Sequence, residues 1–252
     1  MPISRKIMGV KRGGGNKAIF GYGYSSFGVW VSLTNLVSNT GVVSGDVTGV
    51  GTMRYDLAAA GYGTDKGIFG YGAYNQNGNT VSTTNRVSNT GVVSGDVAGV
   101  GTGRSYLAAA GYGTDKAIFS FGYPTGYTNL VSNTGVVASN VALVGSNRYK
   151  LAAAGYGTDK AIFGYGTTGT MVSMTNLVSN IGVVSADITG VGNAKYLLAA
   201  AGYGTDKAIF GYGDAGYYNS SINLVSSTGV VSTDTTGVGT ARNQLAASSY
   251  GS

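Results

Sequence analysis

Residues 155–166 read GYGTDKAIFGYG, and residues 202–213 repeat them letter for letter. Close copies fill residues 61–72 (GYGTDKGIFGYG) and 111–122 (GYGTDKAIFSFG), and a worn copy, RGGGNKAIFGYG, fills residues 12–23. The stretch marks a repeat, and the repeat decides the fold. Lys17, Lys66, Lys116, Lys160 and Lys207 hold one place in five units, at spacings of 49, 50, 44 and 47 residues. Asn35, Asn85, Asn129, Asn176 and Asn223 keep step with them, each in NLVSNTGVV or a near copy. So do Leu57, Leu107, Leu151 and Leu198, each opening Leu-Ala-Ala-Ala, and Leu245, where the block has worn to LAAS.

Each unit reads as four short strands. Strand a is LAAAGYG, and a tight turn at GTDK leads into strand b, KAIFGYG. A variable loop precedes strand c, TNLVSN, which turns through Asn-Thr-Gly into strand d, GVVSGDVTGV. Gly, Asn and Asp stand where turns need left-handed backbone or side-chain capping, and the strands are rich in Val, Ile, Phe and Tyr. Strand b alternates Ala18, Phe20 and Tyr22 with Ile19, Gly21 and Gly23, bulk on one face and small residues on the other. Four strands in about 47 residues, five times over, predict an all-β, five-bladed β-propeller of four antiparallel strands per blade. The propeller takes residues 16–252, and residues 1–15 form a basic arm. The Ala triplet suits an innermost strand, where five strands crowd one axis.

Ring closure is expected from both termini. The C-terminal RNQLAASSYGS carries a strand a without a b, and the N-terminal NKAIFGYG carries a b without an a. Ser4 to Val10, SRKIMGV, aligns with MRYDLAA as a rival strand a, but it lacks the Leu-Ala-Ala core.

Residues 54–72, RYDLAAAGYGTDKGIFGYG, resemble a kelch-type repeat. They share a basic residue, a small-residue strand, a short turn, an aliphatic-aromatic strand and a glycine-rich end. Gly-Tyr-Gly stands where kelch repeats usually have a Gly pair, and the single Trp, Trp30, lies in a variable loop. The DKAIFGYG and TNLVSNTGVV tracts are also similar to near-identical repeats in tailed-phage and aquatic metagenomic proteins. The first resemblance implies a propeller. The second implies a phage virion component, and neither implies a chemistry.

The ionisable residues narrow the chemistry. The chain has no His and no Cys, and all ten acidic residues are Asp. Thiolate catalysis, zinc sites with N or S ligands and Ser–His pairs are excluded. No cofactor or metal is expected. The net charge of +6 is uneven: Arg5, Lys6, Lys11 and Arg12 precede the first acid, Asp46. The remaining twelve cationic residues nearly balance ten Asp. The arm reads as a solvated tail or as an anchor to other virion proteins. MPISRKIMGVKRGGG has no apolar segment of a signal peptide, and no apolar run approaches a membrane span.

Candidate sites divide into constant and variable. GYGTDK and GVGTAR look like phosphate loops, but GYGTDK leads into a strand rather than a helix, so nucleotide binding is not expected. Asp65, Asp115, Asp159 and Asp206 recur in the a–b turns, and Asp46, Asp96, Asp187 and Asp234 recur in strand d. A glycosidase needs a carboxylate pair singled out at one place. These repeat with the scaffold, so they read as caps and ion pairs, and no residue is assigned as catalytic. Arg54, Arg104, Arg148, Lys195 and Arg242 read likewise as anchors of the connections, the rival being a cationic ring for an anion.

The b–c loops are not constant. They read YSSFGVWVS, AYNQNGNTVS, YPTGY, TTGTMVSM and DAGYYNSS. Their Tyr, Ser, Asn and Gly resemble a paratope, with rigid aromatic area and adaptable hydrogen bonds. Tyr24, Phe27, Trp30, Tyr74, Asn75, Tyr123, Tyr127, Tyr217 and Tyr218 are the candidate ligand-binding residues. The expected function is non-enzymatic: a binding or structural module that meets a glycan or a protein surface, with no membrane partner and no nucleic acid expected. A purely structural virion or assembly protein is the first alternative, and a propeller hydrolase or lyase the second.

Overall fold

The structure is a computed structural model that describes residues 17–24 and 29–249. The basic arm, residues 1–15, and the rival strand at Ser4 to Val10 lie outside the described residues. The first unit holds β1 (Ala18–Tyr24) and β2 (Trp30–Val37). The second holds β3 (Ala58–Tyr62), β4 (Lys66–Gly70) and β5 (Thr84–Val87). The third holds β6 (Ala108–Tyr112), β7 (Lys116–Phe121), β8 (Tyr127–Val131) and β9 (Val141–Ala142). The fourth holds β10 (Ala152–Tyr156), β11 (Lys160–Gly164) and β12 (Thr175–Val178), and the fifth β13 (Ala199–Tyr203), β14 (Lys207–Gly211) and β15 (Ile222–Val225). The described residues contain no helix, and the strands form five small antiparallel sheets in chain order.

The register repeats between units. Phe69 pairs with Ala59 and Asn85, Phe163 with Ala153 and Asn176, and Phe210 with Ala200 and Asn223. Strand d is slighter than the sequence suggests. In the second unit it is two isolated bridges, Thr84↔Val97 and Val87↔Val93, and only the third unit adds a strand, β9. Between the bridges the c-strand amide turns to a side chain. Leu36, Arg86, Leu177 and Leu224 each donate their N–H to a serine hydroxyl, of Ser44, Ser94, Ser185 and Ser232, at 2.9 Å. A hydroxyl thus satisfies a donor that a carbonyl would otherwise receive.

The alternation expected of strand b runs only as far as its Phe. The aromatic residue two places later takes a left-handed backbone in every unit: φ is 64° at Tyr22, 65° at Tyr71, 66° at Phe121, 64° at Tyr165 and 62° at Tyr212. That conformation is costly for a residue with a bulky side chain. Its effect is to aim the ring out of its own sheet and into the next unit. Tyr22 meets Phe69, Tyr71 meets Phe119 and Tyr165 meets Phe210 at centroid distances of 5.2 Å, and Phe121 meets Phe163 at 5.4 Å. The core therefore lies between units. One cluster joins Ile68 and Tyr71 to Leu107 and Phe119, a second Ile118 and Phe121 to Phe163, a third Ile162 and Tyr165 to Phe210. Each buried ring contributes roughly 1.5–3 kcal/mol.

A buried cation completes each of the four junctions between successive units. The Arg54 guanidinium lies 4.7 Å over the Tyr22 ring of the first unit and donates to Asn85 of the second. Arg104 lies over Tyr71 and donates to Asn129 (2.6 Å), and Arg148 lies over Phe121 and donates to Asn176 (2.7 Å). Lys195 lies over Tyr165 and donates to Asn223 (2.9 Å). Each Asn in turn donates to strand d, Asn85 to Asp96, Asn176 to Asp187 and Asn223 to Asp234 at 2.9–3.0 Å, and Asn129 to Asn140 at 3.0 Å. These cations anchor the connections, as their recurrence implied.

The outer sides of the first and fifth units differ from these four junctions. Arg242 lies 4.1 Å over Tyr212, but it is exposed and its guanidinium donates to Thr240 O. Phe20 is 57% exposed, whereas Phe119, Phe163 and Phe210 are fully buried. Among the described residues, those from Leu245 to Ser249 pair with no strand.

Candidate binding face

Strands β3, β6, β10 and β13 pack side by side in series, and the two ends of this stack, called axial below, differ chemically. At one end a hollow of about 180 Å³ is lined by the same residues from successive units: Gly61, Gly111, Gly155 and Gly202, with Thr64, Thr114 and Thr158. The turns there are tied in series, Gly63 N to Asp115 O, Gly113 N to Asp159 O and Gly157 N to Asp206 O, each at 2.7 Å. The turn acids pair with their neighbours, Asp65 with Lys66 at 2.9 Å and Asp115 with Lys116 at 3.1 Å, in the open where such pairs add little.

The other end holds a cavity of about 430 Å³. Five residues in equivalent positions surround it: Asp56, Tyr106, Lys150, Leu197 and Gln244. Beneath them lie the constant Leu57, Leu107, Leu151, Leu198 and Leu245. The five adopt one conformation, with φ of 52°, 54°, 56°, 54° and 54°. A string of backbone bonds holds them: Tyr106 N donates to Asp56 O, Lys150 N to Tyr106 O, Leu197 N to Lys150 O and Gln244 N to Leu197 O, each at 2.9 Å. The backbone is uniform and the side chains are all different.

Those side chains make a charged and aromatic group. Lys150 Nζ lies 5.0 Å from the Tyr106 ring centroid, 5.3 Å from that of Tyr196 and 5.9 Å from that of Tyr149. An ammonium over tyrosine faces is attracted by the ring quadrupoles. Burial raises the Asp56 carboxyl above the usual carboxylate range, opposed by the Tyr106 hydroxyl and by Lys150. Burial, and then the Asp56 charge, push the Tyr106 phenol up to about 12. Tyr106 therefore keeps its proton, between Asp56 and the Lys150 ammonium.

The b–c loops rise on this same face. Backbone bridges fix the loops of the second to fifth units beside their axial residues: Tyr55↔Ala73, Ser105↔Tyr123, Tyr149↔Thr167 and Tyr196↔Asp214. Two aromatic rows result. Tyr24 meets Trp30 at 6.1 Å, and Trp30 stacks on Tyr55 at 5.8 Å and 18°. Tyr123 meets Tyr149 at 5.3 Å, and Tyr149 meets Tyr106 at 6.4 Å. The Tyr55 hydroxyl donates to Asn75 O (3.0 Å), and Asn75 Oδ1 accepts the Asn79 amide (3.0 Å), so Asn75 shapes its loop.

Of the residues expected from sequence, Tyr24, Trp30, Asn75 and Tyr123 join these rows. Tyr74, Tyr217 and Tyr218 are exposed on their loops, at 39%, 63% and 64%. Tyr127 stands apart from the rows, half-buried in β8 opposite Phe121 and Ala142. Phe27 lies outside the described residues. The axial five and their neighbours Tyr55, Tyr149 and Tyr196 escape a reading based on loop length. Their signal is the residue before each constant Leu, which reads Asp, Tyr, Lys, Leu and Gln in turn.

No protein-family model matches this chain, and no curated protein sequence matches it.

Proposed function

We propose that the chain is a five-bladed β-propeller acting as a non-enzymatic recognition module, its varied face meeting a glycan or a protein surface. The observation that carries this reading is the contrast between the two ends of one axis. The a–b turns repeat one set of residues, while the opposite end collects five different axial side chains and five different loops.

The closed ring rests on the matching halves left open. The first unit offers Phe20, Asn35 and Asp46, and the fifth offers Tyr212 and Arg242. These are the residues that clasp at the other four junctions. A slot of about 890 Å³ between the first and second units, lined by Ala18, Ile19, Ala59, Ala60, Ile68 and Ser248, takes the segment from Leu245 as the missing strand a. Closure would remove the exposed sheet edges.

Catalysis fits less well. Asp56 is the one carboxylate lining the axial cavity, and glycoside hydrolysis needs two. The resemblance to tailed-phage repeats suits a virion surface component, with the arm as an anchor. The test is a glycan and host-surface binding screen against a variant whose five b–c loops are replaced by one short loop. Loss of binding is expected. Undiminished binding would hand the role to the scaffold, as in a purely structural virion protein.

A further inference from the structure

The axial cavity carries a more specific assignment, which rests on the recognition reading above. Among the described residues, Lys66, Lys116, Lys160 and Lys207 each pair with the Asp beside them, and Lys195 donates to Asn223. Lys150 Nζ has no hydrogen bond and no ion pair there. Its charge is held half-buried among three tyrosine rings, with no carboxylate of the described residues within ion-pair distance. Ring faces compensate a cation only in part, which leaves a place for an anion beside it. Asp56 is likewise outside any ion pair, separated from Lys150 by Tyr106.

The occupant must satisfy both ends. A small inorganic anion reaches Lys150 and leaves Asp56 repelling it. A neutral sugar serves Asp56 with its hydroxyls and leaves Lys150 unpaired. A group with one carboxylate at one edge and hydroxyl donors at the other satisfies both. The aromatic rows from Trp30 to Tyr55 and from Tyr123 to Tyr149 lead away from the cavity and offer flat faces to further rings. The cavity volume suits one sugar unit. We propose that the axial cavity binds one carboxylated sugar residue of a glycan, its carboxylate on Lys150 Nζ and its hydroxyls on Asp56, with Tyr106 between them.

The variants are chosen from what the fold already holds. Leu197 occupies the place of Lys150 one unit later, so Lys150→Met keeps an apolar side chain of proven fit. Gln244 occupies the place of Asp56, so Asp56→Asn keeps an uncharged amide. The experiment is ligand-observed NMR and calorimetry with glucuronate, N-acetylneuraminate, glucose and glycine, on the full chain and both variants, with thermal unfolding to check the fold. At least one sugar acid is expected to bind, with glucose and glycine silent. Lys150→Met should weaken binding at least about tenfold and Asp56→Asn several-fold, as loss of one charge-assisted contact implies. Equal binding of glucose, binding of glycine, or undiminished binding by Lys150→Met would overturn the assignment. If neither sugar acid binds the full chain while loop replacement still abolishes surface binding, this inference fails and the recognition reading stands. If a sugar acid binds and loop replacement changes nothing, the loop part of that reading fails instead.

Discussion

Arg148 Nη1 lies 3.2 Å from Asp187 Oδ1, and the guanidinium, wholly buried, rests 4.4 Å over the Phe121 ring of the preceding unit. Burial pushes this guanidinium down to about 10, opposed chiefly by Asp187. One side chain therefore joins two units by stacking on one and hydrogen bonding to the other. Arg148→Met should cost about 3 kcal/mol in urea unfolding, because it orphans Asn176 and leaves Asp187 without its cation. Asp187→Asn should cost only about 1 kcal/mol. The third unit already places Asn140 there, opposite Arg104. Equal costs would show that charge, not stacking and geometry, holds the junction.

Lys195 is the one lysine at a place where four units have arginine. Burial lowers its ammonium from 10.5 to about 8, with Asp234 opposing. The folded state then releases a proton that the unfolded chain keeps until about 10.5. Stability should therefore rise with pH between those two values, the unfolded state binding more protons there. Lys195→Arg should flatten that rise and raise the melting temperature at neutral pH. A pH series of thermal unfolding curves on both proteins checks this, and parallel curves would refute it.

Asp56 gives the opposite sign. Its carboxyl is raised by burial, so its contribution is favourable in acid and is lost as pH rises through the folded value. Asp56→Asn should stabilise the protein at neutral pH and do nothing in acid. A residue that costs stability where the protein works is expected of a binding site.

Phe20 tests the ring. In an open chain its 57% exposure predicts that Phe20→Ala costs at most about 0.5 kcal/mol. In a closed propeller it packs on Tyr212 and the cost should approach that of Phe163→Ala, about 3 kcal/mol. Arg242→Met should divide the same way. Chemical denaturation of the three variants decides between the two cases.

Much of the fold was legible because the repeat is nearly exact. Turn residues at fixed offsets marked the hairpins, and the recurrence of Arg54, Arg104 and Arg148 marked them as anchors. Two things were hidden. The left-handed backbone at Tyr22 and its equivalents cannot be seen in a Gly-Tyr-Gly string, since the glycines look like the flexible members. Strand alternation then seemed to run on past the Phe to this residue. The axial cavity was hidden for a different reason. Loop variation is conspicuous because it changes length, whereas Asp56, Tyr106, Lys150, Leu197 and Gln244 vary at constant length inside a block that otherwise repeats. Tyr24, Trp30 and Tyr123 were found by composition, and their neighbours Tyr55 and Tyr149 only by the fold.

The shared left-handed backbone of the axial five separates what holds each position from what occupies it. An acid, a phenol, an amine, an alkyl chain and an amide all accept φ near 54° there, kept in place by carbonyl and amide groups that no substitution removes. Each place is one letter in a five-letter word written around the cavity. On the proposed recognition role, rewriting that word should alter what is bound while keeping the fold, which makes these positions a natural place for a combinatorial library.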